Sequence, residues 1–165
     1  MTLLAVGVDY RSAPASVREA LAFDGTKLHS GLDLVARAFP DHECVILSTC
    51  NRVELYVASA PDEAAETTTL TDVLAKFHGI RPEVFAPHLV SYHDEGVIGH
   101  LFRVAASLES LILGEGQILG QVRDAYNAAI ARKTVGPIFH TVFQSALRVG
   151  KLVRERTGID RKSVV

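Results

Sequence analysis

The sequence predicts an α+β fold: a mixed α and β part over residues 1–93, then an all-helical part over residues 94–165. Three observations carry that prediction. Apolar runs at residues 3–8, 44–47 and 89–92 are short enough for strands, and Val53, Leu55 and Val57 alternate with Glu54 and Tyr56. Segments with apolar residues at helical spacing separate these runs. After Asp94 the two-residue period disappears, and three long helical stripes follow.

Residues 3–8, Leu-Leu-Ala-Val-Gly-Val, read as a buried strand. Pro14 suits the start of a short helix with Val17, Ala20 and Leu21 on one side. A second helix is predicted over 27–38 from Leu28, Leu32, Val35 and Phe39, stopped by Pro40. Two strands follow, 44–47 and 53–57, joined by the polar Ser48-Thr49-Cys50-Asn51-Arg52, whose side chains are expected at the end of a sheet rather than inside it. Residues 60–69 read as an acidic loop running into a helix over 70–77, closed by Gly79. Residues 89–92 give a last weak strand. The three later stripes run from Val97 to Leu108, from Ile118 to Ile130, and from Gly136-Pro137 to Val153.

A chain of 165 residues, 48% of them hydrophobic, can bury a sizeable core. The formal net charge of −2 excludes a broad basic coat, so any contact with nucleic acid is local, and no DNA partner is expected. The basic residues cluster late, from Arg148 to Lys162, which reads as a helix ending in cations that its dipole favours. Two cysteines make a poor disulfide framework and point to a reducing compartment. Neither a signal-peptide layout nor a membrane-length apolar run occurs. A cytosolic protein without a membrane partner is expected, and no metal site is read.

The chemistry concentrates at Cys50. A thiolate attacks an activated carbonyl well, and it needs nearby positive charge or hydrogen-bond donors. Arg52 lies two residues on, on the same side in an extended segment. It can serve the thiol, or it can grip a substrate carboxylate with its two-pronged guanidinium. Thr49 and Asn51 add polar groups, whereas Cys44 sits in an apolar run and reads as structural. His100 falls on the flank of its helical stripe, suited to a cleft edge or to half exposure. Gly114, Gly116 and Gly120 suggest a dinucleotide turn, but no strand precedes them, so they are read as shaping a turn before a helix. Glu115 and Gln117 can cap that helix or line the Cys50 pocket.

Together these residues resemble the glutamyl-tRNA reductase family. The matching pieces are Gly7-Val8, Arg11-Ser12-Ala13-Pro14, Val17-Arg18-Glu19, residues 47–54 around Ser48-Thr49-Cys50-Asn51-Arg52, residues 100–105 from His100, Gly114-Glu115 with residues 117–121, Ala125-Tyr126, Gly136-Pro137-Ile138 and Phe143-Gln144. They occur in the family's order and span nearly the whole chain. The resemblance implies an antiparallel, ferredoxin-like sheet with packed helices, followed by helices that complete the site and lead to further domains. It implies that Cys50 takes glutamate from glutamyl-tRNA as a thioester. NADPH then reduces the thioester to glutamate-1-semialdehyde, the precursor of 5-aminolevulinate and the tetrapyrroles. By the same carry-over, His100 assists catalysis, while Thr49, Asn51, Arg52, Ser110, Glu115, Gly116, Gln117 and Gln121 contact the substrate, with Arg52 on its carboxylate. The family's nicotinamide-binding and dimerisation domains have no counterpart in residues 1–165. Thioester formation or ester hydrolysis is therefore expected of this chain, with no NADPH bound to it. The complete family enzyme is a homodimer. The family usually has Asn-His where this chain has Asp9-Tyr10, a glycine at Ser107 and a proline at Gly116. A non-catalytic paralogue that binds glutamyl-tRNA or the reductase, and a thioesterase independent of tRNA, are the competing expectations.

Overall fold

One of the two inner strands of the sheet is the apolar run near the N-terminus, β1 (Thr2–Asp9), which pairs on both edges. In the computed structural model, which describes residues 1–114 and 116–157, β1 joins β2 (Glu43–Ser48), β3 (Arg52–Ser59) and β4 (Val90–His93) in one antiparallel sheet of order β2-β3-β1-β4. Helices α1 (Ala15–Leu21) and α2 (Thr26–Ala38) connect β1 to β2, while α3 (Thr67–His78) and the short α4 (Pro82–Phe85) connect β3 to β4. Two helical crossovers around a β2–β3 hairpin are the ferredoxin-like arrangement that the resemblance implied. Helices α5 (Glu95–Ala105), α6 (Gln117–Ala131) and α7 (Pro137–Thr157) follow.

Register decides what each face carries. Arg52 pairs with Asp9, Glu54 with Gly7 and Leu47, and Tyr56 with Ala5 and Val45, so Arg52, Glu54 and Tyr56 share one face. Helices α5 and α7 cover that face, with His100 on Glu54 and the Phe143 ring 5.6 Å from Tyr56. On the opposite face Gly31 of α2 packs closely against Ile46. With helices on both faces, every residue of β3 is buried.

The edge strand β2 is tied to the helical part. Cys44 N–H donates to the Thr134 carbonyl at 2.8 Å, and the Thr134 hydroxyl donates to the Cys44 carbonyl at 2.9 Å. The Glu43 carboxylate accepts from the amides of Ile138 (3.0 Å) and Phe139 (2.7 Å) at the start of α7. Those amides have no partner within the helix, and the helix dipole favours an anion there. A side chain at Gly136 would strike this carboxylate, since its Cβ would lie 2.5 Å from Oε1. The Gly-Pro start of α7 therefore has a steric cause.

The elements differ from the sequence reading at α3, at α5 and in three short helical turns. Helix α3 starts at Thr67 rather than at 70, because a first helical turn needs no apolar period. Helix α4 and the 3-10 turns at Pro61–Glu63 and Ala86–His88 are too short for periodicity to reveal. Helix α5 ends at Ala105, and Leu108 lies beyond it, 47% exposed. Among the described residues no helix is long and apolar enough to cross a membrane, and no group of three or more His, Cys, Asp or Glu is placed to hold a metal ion.

Candidate active site

Cys50 stands at the tip of the tight turn between β2 and β3, exposed to solvent. Thr49 builds that turn. Its hydroxyl accepts from the amides of Asn51 (3.1 Å) and Arg52 (3.2 Å), and its own N–H donates to the Arg52 carbonyl at 2.8 Å. Ser48, the last residue of β2, fixes the approach by accepting from the Phe23 amide at 2.9 Å. From α1, Arg18 donates through Nε to the Cys50 carbonyl at 3.3 Å and through Nη1 to the Ala13 carbonyl at 2.7 Å. The backbone at Cys50 is thus held from both sides while its thiol is exposed.

Behind the turn lies a buried polar network. Arg52, 1% exposed, donates through Nη1 to Glu54 Oε1 at 2.8 Å and through Nη2 to the Glu109 carbonyl. Glu54 also takes the Tyr56 hydroxyl on Oε2 and His100 Nε2 on Oε1, the latter at 2.9 Å. Burial alone would raise the Glu54 carboxyl. The His100 hydrogen bond and charge, then Arg52 and Tyr56, more than offset it and hold the group at about 2. An ionised Glu54 can only accept, so Nε2 of His100 carries the proton of that bond. The imidazole stacks on Tyr92 with ring centroids 4.0 Å apart. Gly7 leaves room for this carboxylate, because a Cβ there would lie 2.1 Å from the Val53 carbonyl and 3.0 Å from Glu54 Cγ.

Above the network the segment between α5 and α6 comes across. Its Glu109 carboxylate takes Arg103 Nε at 2.9 Å and Arg11 Nη2. Burial opposes ionisation of Glu109, but the bonds from Arg103 and Arg11 keep its carboxyl below the ordinary glutamate range. A cleft of about 300 Å³ opens here, lined by Asp9, Arg11, Ser12, Val90, Tyr92 and Glu109. Asp9 organises its rim: Oδ1 accepts from the amides of Arg11 (2.8 Å) and Ser12 (3.0 Å), and Oδ2 pairs with Arg11 at 3.2 Å. The Oδ1 bonds are ones an asparagine oxygen can also make; the ion pair is what the aspartate adds. Tyr10 hydroxyl reaches toward the Ser110 carbonyl at 3.5 Å. Ser107 has φ 64, the left-handed region that favours glycine.

The structure gathers part of the predicted set. Thr49, Cys50, Asn51 and Arg52 share one turn, and Ser110 lies half-buried on the segment that meets Arg52. Gln121 lies half-buried in a second cleft of about 150 Å³ lined also by Leu28, Ile46, Ser48, Asp124 and Ala125, at the end of β2 that leads into the Cys50 turn. Gln117 is the exposed first residue of α6, and Gly116 precedes it with its carbonyl held by Arg154 Nη1 at 2.8 Å. Glu115 lies outside the described residues, as does 158–165, which includes Arg161 and Lys162 of the basic stretch.

Two expectations are corrected. Arg52 does not stand at the sheet end beside Cys50; the turn exposes Cys50 and sends Arg52 into the interior, where Glu54 compensates its charge. His100 is not at a cleft edge either, being 1% exposed beneath the sheet. Sequence reading missed Glu54, Arg11, Arg18, Tyr92 and Glu109. For Glu54 the signal was present, because Arg52, Glu54 and Tyr56 alternate on one face of a strand and a charge pair spaced by two can be buried together.

Residues 6–157 match the family model described as the N-terminal domain of glutamyl-tRNA(Glu) reductase. The chain is 44% identical over 161 residues to glutamyl-tRNA reductase 1 of Nocardioides sp., covering 98% of this chain and 37% of that protein. It is 41% identical over 164 residues to the glutamyl-tRNA reductase of Geobacter metallireducens, covering 99% of this chain and 38% of the relative. A solved structure of glutamyl-tRNA reductase from Methanopyrus kandleri superimposes with a TM-score of 0.80 at 30% identity, over 99% of this chain and 37% of that one. The chain thus spans little more than a third of the length of these relatives. The matching family model, the sequence identities and the shared fold together place the chain in the glutamyl-tRNA reductase family, as its N-terminal domain.

Proposed function

We propose that this chain performs the acyl-transfer half of glutamyl-tRNA reduction. The thiolate of Cys50 attacks the ester carbonyl that joins glutamate to the terminal ribose of its tRNA. A carbon–sulfur bond forms, the ester carbon–oxygen bond breaks, and the ribose hydroxyl leaves with a proton taken from water. The exposed thiol at the tip of a turn braced by Thr49 and Arg18 supports this reading most directly. An attacking sulfur must be reachable by a large substrate while its backbone stays fixed, and this arrangement provides both.

Thr49, Asn51 and the half-buried Ser110 and Gln121 supply polar contacts for the glutamyl group, and family membership adds Gly116, Gln117 and Glu115 as further contacts. Arg52 takes the substrate's carboxylate, with Glu54 aiming its guanidinium from behind. His100 acts through Glu54 and is a positioning residue on this geometry. In the complete enzyme, NADPH would supply a hydride. The described residues do not fit that group, because the glycines at 114, 116 and 120 follow a loop and no strand leads into them. We also infer a cytosolic, homodimeric complete enzyme from family membership. Deacylation of glutamyl-tRNA by this chain, compared with Cys50→Ser, tests the reading. Loss of the enzyme-dependent rate in the variant supports it, and an unchanged rate sinks it.

A further inference from the structure

The segment 107–114 is closed at its neck and free at its tip. Gly114 N–H donates to the Ser107 carbonyl at 3.3 Å, and both residues have positive φ, 64 at Ser107 and 79 at Gly114. Between them the large apolar side chains point into solvent: Leu108 is 47% exposed, Leu111 61%, Ile112 71% and Leu113 64%. One side chain reaches inward. The Glu109 carboxylate, 13% exposed, sits on Arg11 and Arg103, and its carbonyl covers Nη2 of Arg52.

This creates a conflict that the fold can resolve by movement. Arg52 has one edge on Glu54 and the other under the Glu109 carbonyl, so no ligand reaches it in this arrangement. We propose that 107–114 is a gate and that Glu109 is its latch. An incoming substrate carboxylate takes the Arg52 edge, the Glu109 backbone moves off it, and the Glu109 carboxylate leaves Arg11 and Arg103. The inference rests on the reading that Arg52 binds a carboxylate of the glutamyl group.

The physical chemistry favours easy opening. Arg11 and Arg103 are about half exposed, at 50% and 47%, and ion pairs of exposed groups are weak. Hinge positions that absorb a backbone change stand at both ends of the segment. The exposed leucines and isoleucine lose nothing by moving, and they gain burial if the segment folds over a bound aminoacyl group.

The chain has no tryptophan, so Leu111→Trp places a single reporter at the tip. Emission is titrated with glutarate, a dicarboxylate of the glutamyl side chain's type, in that protein and with Glu109→Gln or Arg103→Gln added. The gate predicts a saturable emission change whose midpoint falls by about twofold to fivefold in each latch variant. Emission that ignores glutarate, or midpoints that stay put or rise in both variants, overturns it. Glutarate carries no ester, so the titration is repeated in Cys50→Ser. A gate response beside absent Cys50-dependent deacylation would sink the transfer reading and leave the gate standing; the reverse pattern would do the opposite.

Discussion

Cys44 and Cys50 lie six residues apart and present opposite chemistry. Burial pushes the Cys44 thiol up to about 12, against only a partial offset from the Thr134 hydroxyl, while Cys50 is exposed at a turn. Iodoacetamide at pH 8 should therefore modify the native protein once, at Cys50, and twice in urea; peptide mass mapping reads the sites. Arg52 and Glu54 allow a second expectation. Glu54→Gln leaves a buried guanidinium without its counter-charge, which costs about 3–5 kcal/mol. The urea midpoint should drop accordingly, and a shift no larger than that of an ordinary surface change would contradict the network as described. Cys50, Thr49 and Asn51 were legible in the sequence because a polar cluster between two strands must end at a sheet edge. The place of Arg52 was not, since a turn at Cys50 breaks the alternation that put both residues on one side.

At the scale of elements, alternation in β3 gave the strand but concealed its surroundings. A strand with apolar Val53, Leu55 and Val57 opposite Glu54 and Tyr56 reads as half-exposed when helices cover one face. Here helices cover both, and the polar face is buried by satisfying its groups against one another. No local pattern states where α5 will pack. The helical stripes were read well through their centres and poorly at their ends, as at Leu108. The packing of α7 on α5 supplies another test. An alanine in place of a mid-helix glycine ordinarily stabilises by about 1 kcal/mol. At Gly150 the added Cβ would lie 2.6 Å from the Ala105 carbonyl oxygen, so the sign should invert. Gly150→Ala is expected to cost about 1–3 kcal/mol and lower the melting temperature, and a stabilised variant would show that the two helices are not in contact there.

For the molecule as a whole, acid stability follows from two groups held below their ordinary values. Burial, with Lys27 nearby, lowers the His78 imidazole from 6.5 to about 4, and the network lowers Glu54 from 4.5 to about 2. In both cases the unfolded chain binds the proton first as pH falls. The stability each contributes is complete above its unfolded value and is lost as pH drops to its folded value. Urea midpoints should thus decline first between pH 6.5 and 4, through His78, and then between 4.5 and 2, through Glu54, the second loss being on the order of 3 kcal/mol. His78→Leu should flatten the upper window and spare the lower one. Midpoints constant from pH 6.5 to 3 would refute both assignments. The change of period at Asp94 falls where β4 ends at His93 and α5 begins at Glu95. How the later helices join the sheet was not readable from the sequence, because it depends on long-range contacts such as Glu43 with the start of α7 and Glu54 with His100.

Transfer of the glutamyl group to Cys50 is read out by intact mass. The chain is mixed with glutamyl-tRNA, quenched in acid within seconds and weighed beside Cys50→Ser. A mass increase of one glutamyl group on the wild type alone, mapped to Cys50 and removed by hydroxylamine, is the predicted result. A folded wild-type chain that gains no mass and releases no glutamate would contradict it.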